Sequence, residues 1–335
     1  MHALITKLKG KNSLEQKEAE KAFIEMAENL DEKVAIEFLV ALSKKGETAE
    51  EICGFIDGVK KYQAPCDVKG SFVDIVGVGS RGAPTINVST ATAILTAACG
   101  VSVAKHGNKS ASKRCRSGDV LEMLGLDVNF SSQFASQTLE EFNICYLYIP
   151  YFFPVVQRFA NVRKKIGSRT IFDLIDPFLN PTEPDFLVLG VADPDLVDLY
   201  GEVIWRQNRK RSVIVHGTDV QELSPIGPAT ILEVNGKEKR HYTFDPQSLG
   251  VEQCDIKAFK GGNARISAHQ ILRAFEGHPF PVFDALALHS GLAIYTAGKV
   301  ASIDAGFNLA KENLTKGDAF DLLNNWVEYI QKRHK

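Results

Sequence analysis

The sequence predicts an α/β protein. A small N-terminal helical domain is expected over residues 1–66. A large domain over 67–335 follows, with a mostly parallel sheet flanked by helices. Three observations carry this expectation. Residues 1 to about 64 hold only helical periodicity. From Gly70 onward, short apolar runs alternate with helical patterns. The first of those runs, Val73–Val76, leads into a Gly-rich turn and then an apolar helix. That order occurs where a parallel sheet presents a ligand-binding edge.

The elements follow in order. Ser13 with Gln16 reads as a capping box, and Leu14, Ala22, Phe23, Met26, Ala27 and Leu30 share a helical face. A second helix carries Val34, Ala35, Phe38, Leu39 and Leu42 and should stop at Gly46. Thr48 with Glu51 caps a third, carrying Ile52, Phe55, Ile56 and Val59. Such a short bundle exposes more apolar surface than it can bury alone, so either the rest of the chain or a second subunit must cover it. Residues 63–66 break the pattern and suggest a hinge, and segment 160–181 is expected to pack with the helical domain. The expected strands are Val73–Val76, Val101–Ala104, Ile144–Ile149, Phe186–Gly190 and Ser212–Val215, with helices over 89–98, 117–124, 134–142, 155–166 and 193–206. Asp193 and Pro194 suggest an N-cap and a first-turn proline for the last helix. Asn235-Gly236 between alternating apolar residues predicts a hairpin.

Composition narrows the function. A chain of 335 residues with 44% hydrophobic and 24% charged residues can bury a large core. A net charge of −2 gives no global attraction to nucleic acid or anionic membrane, so an anion site must be a local cluster. No apolar run approaches the roughly 20 residues of a membrane span, and MHALITKLKGKN lacks the apolar core of a secretory signal. Six scattered cysteines without a CxxC pair point to reduced thiols in a cytoplasmic protein and to no structural zinc. Cys115, between Arg114 and Arg116, is the one thiol in reactive surroundings, although an incidental loop cysteine is the simpler reading.

The chemistry concentrates between Asp74 and Gly125. Gly77, Gly79 and Gly82 form a turn through which backbone N–H groups can approach an anion, and Asn87, Ser89 and Thr90 open the helix behind it. The next strand delivers Lys105 and His106 into a loop holding Asn108, Lys109, Lys113, Arg114 and Arg116. Two consecutive strand-to-loop junctions of this kind suggest a phosphate or pyrophosphate site. His106 has no second His or Cys at ligand spacing, so zinc is a poor fit. No Ser-His-Asp set or paired carboxylates stand out, so no residue is assigned a catalytic role.

The same residues resemble those of the anthranilate phosphoribosyltransferase family, which shares its fold with the pyrimidine nucleoside phosphorylases. Gly77, Gly79, Thr85, Asn87, Ser89, Thr90, Lys105–Asn108 and Asp119–Gly125 fit its pattern. So do NVRKKIGSRTIFDLIDPFLNP (161–181), HGTDVQELSP (216–225) and KGGNA (260–264). The resemblance implies that Gly77, Gly79, Thr85, Asn87, Ser89, Thr90 and Lys105 bind phosphoribosyl pyrophosphate. It places His106, Asn108, Arg163 and Pro177 at an aromatic amine acceptor, by default anthranilate, with Arg163 on its carboxylate. It assigns Mg²⁺ to Ser89 and Glu222, and it implies a homodimer built through the N-terminal helices.

Several positions depart from that pattern. Arg81 stands where the family has an acid, Ser80 and Arg116 where it has glycines, and Lys113 where it has a serine. Phe153 replaces a histidine, and Asp173 and Asp176 replace Asn and Gly in an Asn-Leu-Leu-Gly-Pro run. Gln221 replaces the first of two metal-binding acids, which leaves the second metal in doubt, and His289 stands for an asparagine. The alternatives are a transferase with another acceptor and a non-catalytic relative that binds nucleic acid or another polyanion through Arg81, Lys105, Lys109, Lys113, Arg114, Arg116 and Lys164. The retained site residues and the mild net charge argue against the second.

Overall fold

The computed structural model describes residues 1–78, 85–110, 115–129 and 131–333. In chain order its elements are α1 (His2–Lys9), α2 (Gln16–Glu28), α3 (Glu32–Lys45), α4 (Ala49–Lys60), β1 (Val73–Val78), α5 (Val88–Ala98), β2 (Val103–Gly107), α6 (Ser117–Met123), α7 (Ser132–Phe142) and β3 (Ile144–Tyr148). Next come α8 (Ile149–Phe152), α9 (Ala160–Ile166), α10 (Ile171–Ile175), β4 (Phe186–Val191), α11 (Leu196–Gln207), β5 (Arg211–His216), β6 (Ala229–Asn235) and β7 (Glu238–Phe244). Four helices close the chain: α12 (Ala264–Phe275), α13 (Pro281–Thr296), α14 (Ile303–Lys316) and α15 (Asp318–Arg333).

One sheet of seven strands runs in the order β3-β2-β1-β4-β5-β6-β7. The first five strands are parallel, and β6 and β7 add an antiparallel hairpin at one edge. The sheet is therefore mostly parallel and flanked by helices, as the alternation predicts. β1 sits between β2 and β4, so the chain leaves it in one direction and returns on its other side. Ligands collect at such a reversal, outside the carboxyl ends of the strands. Buried strand residues such as Val73, Ile75, Val103, Ile144, Val188 and Ile214 form the core with the apolar faces of α5 and α13.

The N-terminal helices bury their apolar faces within the chain. Phe23 and Phe55 pack against Phe159 and Phe172, whose ring centroids lie 4.8 Å apart. Lys165 pairs with Glu32, Arg169 with Glu47, and Ser43 Oγ donates to the Arg169 carbonyl. Ala64 N donates to the Phe152 carbonyl at 2.8 Å, and Gln63 Nε2 to that of Pro181 at 3.0 Å.

Several boundaries move. The capping box of α2 is Glu15 with Glu18, two residues later than the Ser13–Gln16 reading, while Ser13 accepts from Lys45. Thr48–Glu51 does cap α4, and Gly46 does end α3. β2 begins at Val103, because Val101 and Ser102 close the turn after α5. The helix expected over 155–166 is a 3₁₀ turn, Pro154–Phe159, followed by α9. α11 begins at Leu196 with Asp195 at its N-cap, and Asp193 instead accepts from Asp195 N within the preceding turn. In the β6–β7 hairpin, Asn235 and Glu238 pair, so the loop is Gly236-Lys237, with Gly236 at φ +57°.

Candidate active site

The carboxyl ends of β1, β2, β4 and β5 build one edge. On β1, Asp74 interrupts an apolar strand and is fully buried. It accepts from His106 Nδ1, from His106 N at 3.4 Å and from Asn180 Nδ2 at 2.9 Å. Burial alone would drive its carboxyl up, but the charge and hydrogen bond of His106, Lys105 and Asn180 outweigh burial and hold it below its ordinary value. For His106, burial pushes the ring down, while Asp74 and the Asp176 carbonyl prevail and raise it. His106 Nε2 donates to that carbonyl at 3.0 Å. Both ring nitrogens are therefore engaged, and the imidazole acts as a strut between β1 and the turn at Asp176 and Pro177.

Lys105 is also buried, and its ammonium donates to the Ile75 carbonyl at 2.6 Å. Burial lowers it to about 8 even though Asp74 opposes the shift. Its charge is thus held against the backbone of β1. Asn87 caps α5, accepting from Thr90 N at 3.1 Å, and Ser89 Oγ donates to the same oxygen at 3.3 Å. Thr90 is buried, and its Oγ1 has no partner among the described residues. Thr85 forms an isolated bridge with Lys260, which ties KGGNA to the approach of α5. Gly79, Ser80, Arg81, Gly82, Ser112, Lys113 and Arg114 lie outside the described residues.

A second loop crosses this edge. Gly77 on β1 and Gly190 on β4 stand directly opposite each other. A Cβ at Gly77 would lie 2.8 Å from the Gln221 side chain, and one at Gly190 would lie 2.5 Å from the Gln221 carbonyl oxygen. The paired glycines make the seat on which Gln221 and Glu222 rest. Glu222 is buried, and desolvation pushes its carboxyl up to about 7 against the hydrogen bonds of Gln221 and the backbone. Gln221 Oε1 is buried without a partner among the described residues. His289 on α13 supports the loop by accepting from Leu223 N at 3.3 Å through Nδ1. Burial and the nearby Lys105 charge push its ring down to about 3, so it is neutral, with its proton on an unpartnered Nε2.

Residues expected at the acceptor gather around Asp176 and Asp173. Asn108 Nδ2 donates to Asp176 Oδ1 at 3.2 Å, and Arg116 pairs with Oδ2 at 3.7 Å. Arg163 pairs with Asp173 at 2.9 Å and lies 5.6 Å from the Phe172 ring. Pro177 and Phe153 are buried. Cys115 is not activated, since burial raises its thiol. Sequence reasoning missed Asp74, Asn180 and Gly190. The charge inside a buried strand was the visible signal for Asp74.

These features match those of known proteins. The family model described as "Glycosyl transferase family, a/b domain" matches residues 69–320. Anthranilate phosphoribosyltransferase from Chlamydia caviae is 33% identical over 296 residues, covering 88% of this chain and 86% of that protein. The protein of that name from Methanosarcina barkeri is 33% identical over 337 residues, covering 100% of this chain and 92% of its own. The crystal structure of the Thermus thermophilus anthranilate phosphoribosyltransferase superposes with a TM-score of 0.91 at 34% identity, covering 98% of this chain and 99% of that one. The Saccharomyces cerevisiae enzyme in complex with phosphoribosyl pyrophosphate and Mg has the same fold, with a TM-score of 0.87 at 21% identity over 99% of each chain. With sequence, fold and sheet edge in agreement, this chain belongs to the anthranilate phosphoribosyltransferase family and is a glycosyltransferase enzyme.

Proposed function

We propose that this enzyme moves the phosphoribosyl group of phosphoribosyl pyrophosphate onto the amine of anthranilate, a step of tryptophan biosynthesis. The observation that carries the reading is the convergence of the carboxyl end of β1, the Asn87-capped start of α5, Lys105 and the Gln221–Glu222 loop at one sheet edge. The amine nitrogen forms a bond to C1 of the ribose, the C1–oxygen bond to pyrophosphate breaks, and the amine then loses a proton. Positive charge develops on the sugar and negative charge on the leaving group, so positioning and charge neutralisation do most of the work. The N-terminus of α5 and the buried Lys105 ammonium supply fixed positive potential there.

A buried carboxylate beside an orphaned amide oxygen fits one hard cation whose remaining ligands are phosphate oxygens and water. Glu222, Gln221 Oε1 and, by resemblance, Ser89 would hold one Mg²⁺, which when bound neutralises charge on the diphosphate. Among the described residues no cluster of three metal-binding side chains occurs, so a second ion would rest mainly on the substrate. Three of the described basic residues of the alternative polyanion groove are engaged: Lys105 with a carbonyl, Lys109 with Glu122 and Arg116 with Asp176. That favours the enzyme over a nucleic-acid binder. No helix among the described residues is long and apolar enough to cross a membrane. We infer a cytoplasmic homodimer that pairs through the N-terminal helices, and we divide the chain into domains at residue 66.

Calorimetry tests the reading. Phosphoribosyl pyrophosphate should bind only with Mg²⁺ present, and the loaded protein should then turn over anthranilate. Absence of Mg²⁺-dependent binding would refute it. A monomer in sedimentation at micromolar concentration would refute the dimer.

A further inference from the structure

We propose that Arg116, rather than Arg163, takes the carboxylate of the acceptor. The assignment rests on the anthranilate reading above. Asp173 and Asp176 lie three residues apart, in the first turn of α10 and in the 3₁₀ turn after it, so their side chains share one side of the segment. Arg163 reaches this row from α9 and Arg116 from the start of α6. The four side chains alternate in charge and keep between 32% and 46% of their surface exposed, so an arriving solute meets them. The row carries no net charge. An arriving carboxylate therefore competes with the aspartate already paired to each arginine.

The two pairs differ in how readily they exchange. Arg163 sits on Asp173 at hydrogen-bond length, with its guanidinium near the Phe172 ring. Asp173 is itself fixed by Thr170 N at 2.9 Å and Thr170 Oγ1 at 3.2 Å. Opening this pair breaks a hydrogen-bonded ion pair and loosens the capping box of α10. Arg116 stands 3.7 Å from Asp176, too far for a hydrogen bond. Asp176 keeps Asn108 as a donor and is anchored through its backbone carbonyl to His106. Arg116 can therefore turn to a substrate carboxylate while Asp176 stays hydrogen-bonded. Asn108 thus acts as a positioning residue that holds the displaced aspartate.

Steady-state kinetics on the parent and five variants separates the possibilities. Arg116→Ala should raise the KM for anthranilate at least about tenfold, the scale of one lost charge-assisted hydrogen bond. The KM for phosphoribosyl pyrophosphate should stay unchanged, and Arg116→Lys should recover part of the loss. Asp176→Asn should lower the anthranilate KM by removing the competitor, and that gain should vanish in Arg116→Ala/Asp176→Asn. A rise in anthranilate KM confined to Arg163→Ala would return the role to Arg163 and overturn the proposal, as would an Arg116→Ala variant with parental KM. A parent that binds phosphoribosyl pyrophosphate yet neither binds nor turns over anthranilate would instead overturn the functional reading, and this assignment with it.

Discussion

The buried pair of Asp74 and His106 makes folding sensitive to pH in a defined window. A histidine raised above its ordinary 6.5 contributes stability that is complete below that value and is lost as pH climbs through its folded value. A carboxylate held below 3.8 contributes stability above that value and loses it as pH falls through its folded value. The pair therefore contributes most between pH 3.8 and 6.5. Asp74→Asn should cost about 3–5 kcal/mol at pH 6, the scale of breaking a buried pair from one side. Urea unfolding of the variant at pH 6 and pH 9 should show this cost shrinking as His106 becomes neutral. Glu222 runs the other way. Its carboxyl, raised to about 7, favours the protonated folded form, so it takes stability away as pH rises from 4.5 to 7. Glu222→Gln should then stabilise the ligand-free protein at pH 8 by about 2–3 kcal/mol while weakening Mg²⁺-dependent substrate binding. A variant less stable than the parent at pH 8 would show that Glu222 is not strained by its burial.

Among elements, the seat made by Gly77 and Gly190 sets the position of the Gln221–Glu222 loop. A methyl group at Gly190 would fall 2.5 Å from a backbone oxygen, which cannot rotate away as a side chain can. Gly190→Ala should leave the sheet intact but lift the loop, weakening Mg²⁺-dependent substrate binding by about tenfold or more. Calorimetry checks this, with circular dichroism as the control for folding. Elements whose signal is local were legible in the sequence. Thr48 and Glu51 cap α4 because both partners lie within four residues, and the strand–helix alternation marks every parallel strand. Where two neighbouring polar residues compete for one cap, local chemistry does not decide. Glu15 replaced Ser13, and Asp195 replaced Asp193, because packing of the following helix chose the start. At the site, the Gly-rich turn and KHGN were visible, but the roles of Lys105 and His106 were not. Their partners lie 30 to 70 residues away in sequence, at Ile75, Asp74 and Asp176. Gly190 reads as an ordinary strand residue until β1 is placed beside β4.

At the scale of the whole molecule, an aromatic cluster joins the N-terminal helices to the segment that precedes β4. Phe23 and Phe55 from the helices enclose Phe172 from the segment before β4, and Phe159 completes the group. All four are almost fully buried. The segment that carries Phe172 also carries Asp173, Asp176 and Pro177, so the acceptor side of the site hangs on this junction. The charged contacts around it, Lys165 with Glu32 and Arg169 with Glu47, each keep one partner substantially exposed and contribute little by comparison. Helices joined to a sheet through a dry core should unfold with it, so thermal unfolding should show one transition for the whole chain. Phe172→Ala should lower stability by about 3–5 kcal/mol through lost burial and the cavity left behind. It should also raise the KM for the acceptor more than that for phosphoribosyl pyrophosphate, because α10 positions Asp173 and Asp176 while β1 and α5 position the donor. Calorimetric unfolding with steady-state kinetics below the transition tests both parts. Two separate transitions in the parent would show that the helices fold apart from the sheet, and equal losses for both substrates would show that the cluster supports the fold without setting the acceptor side.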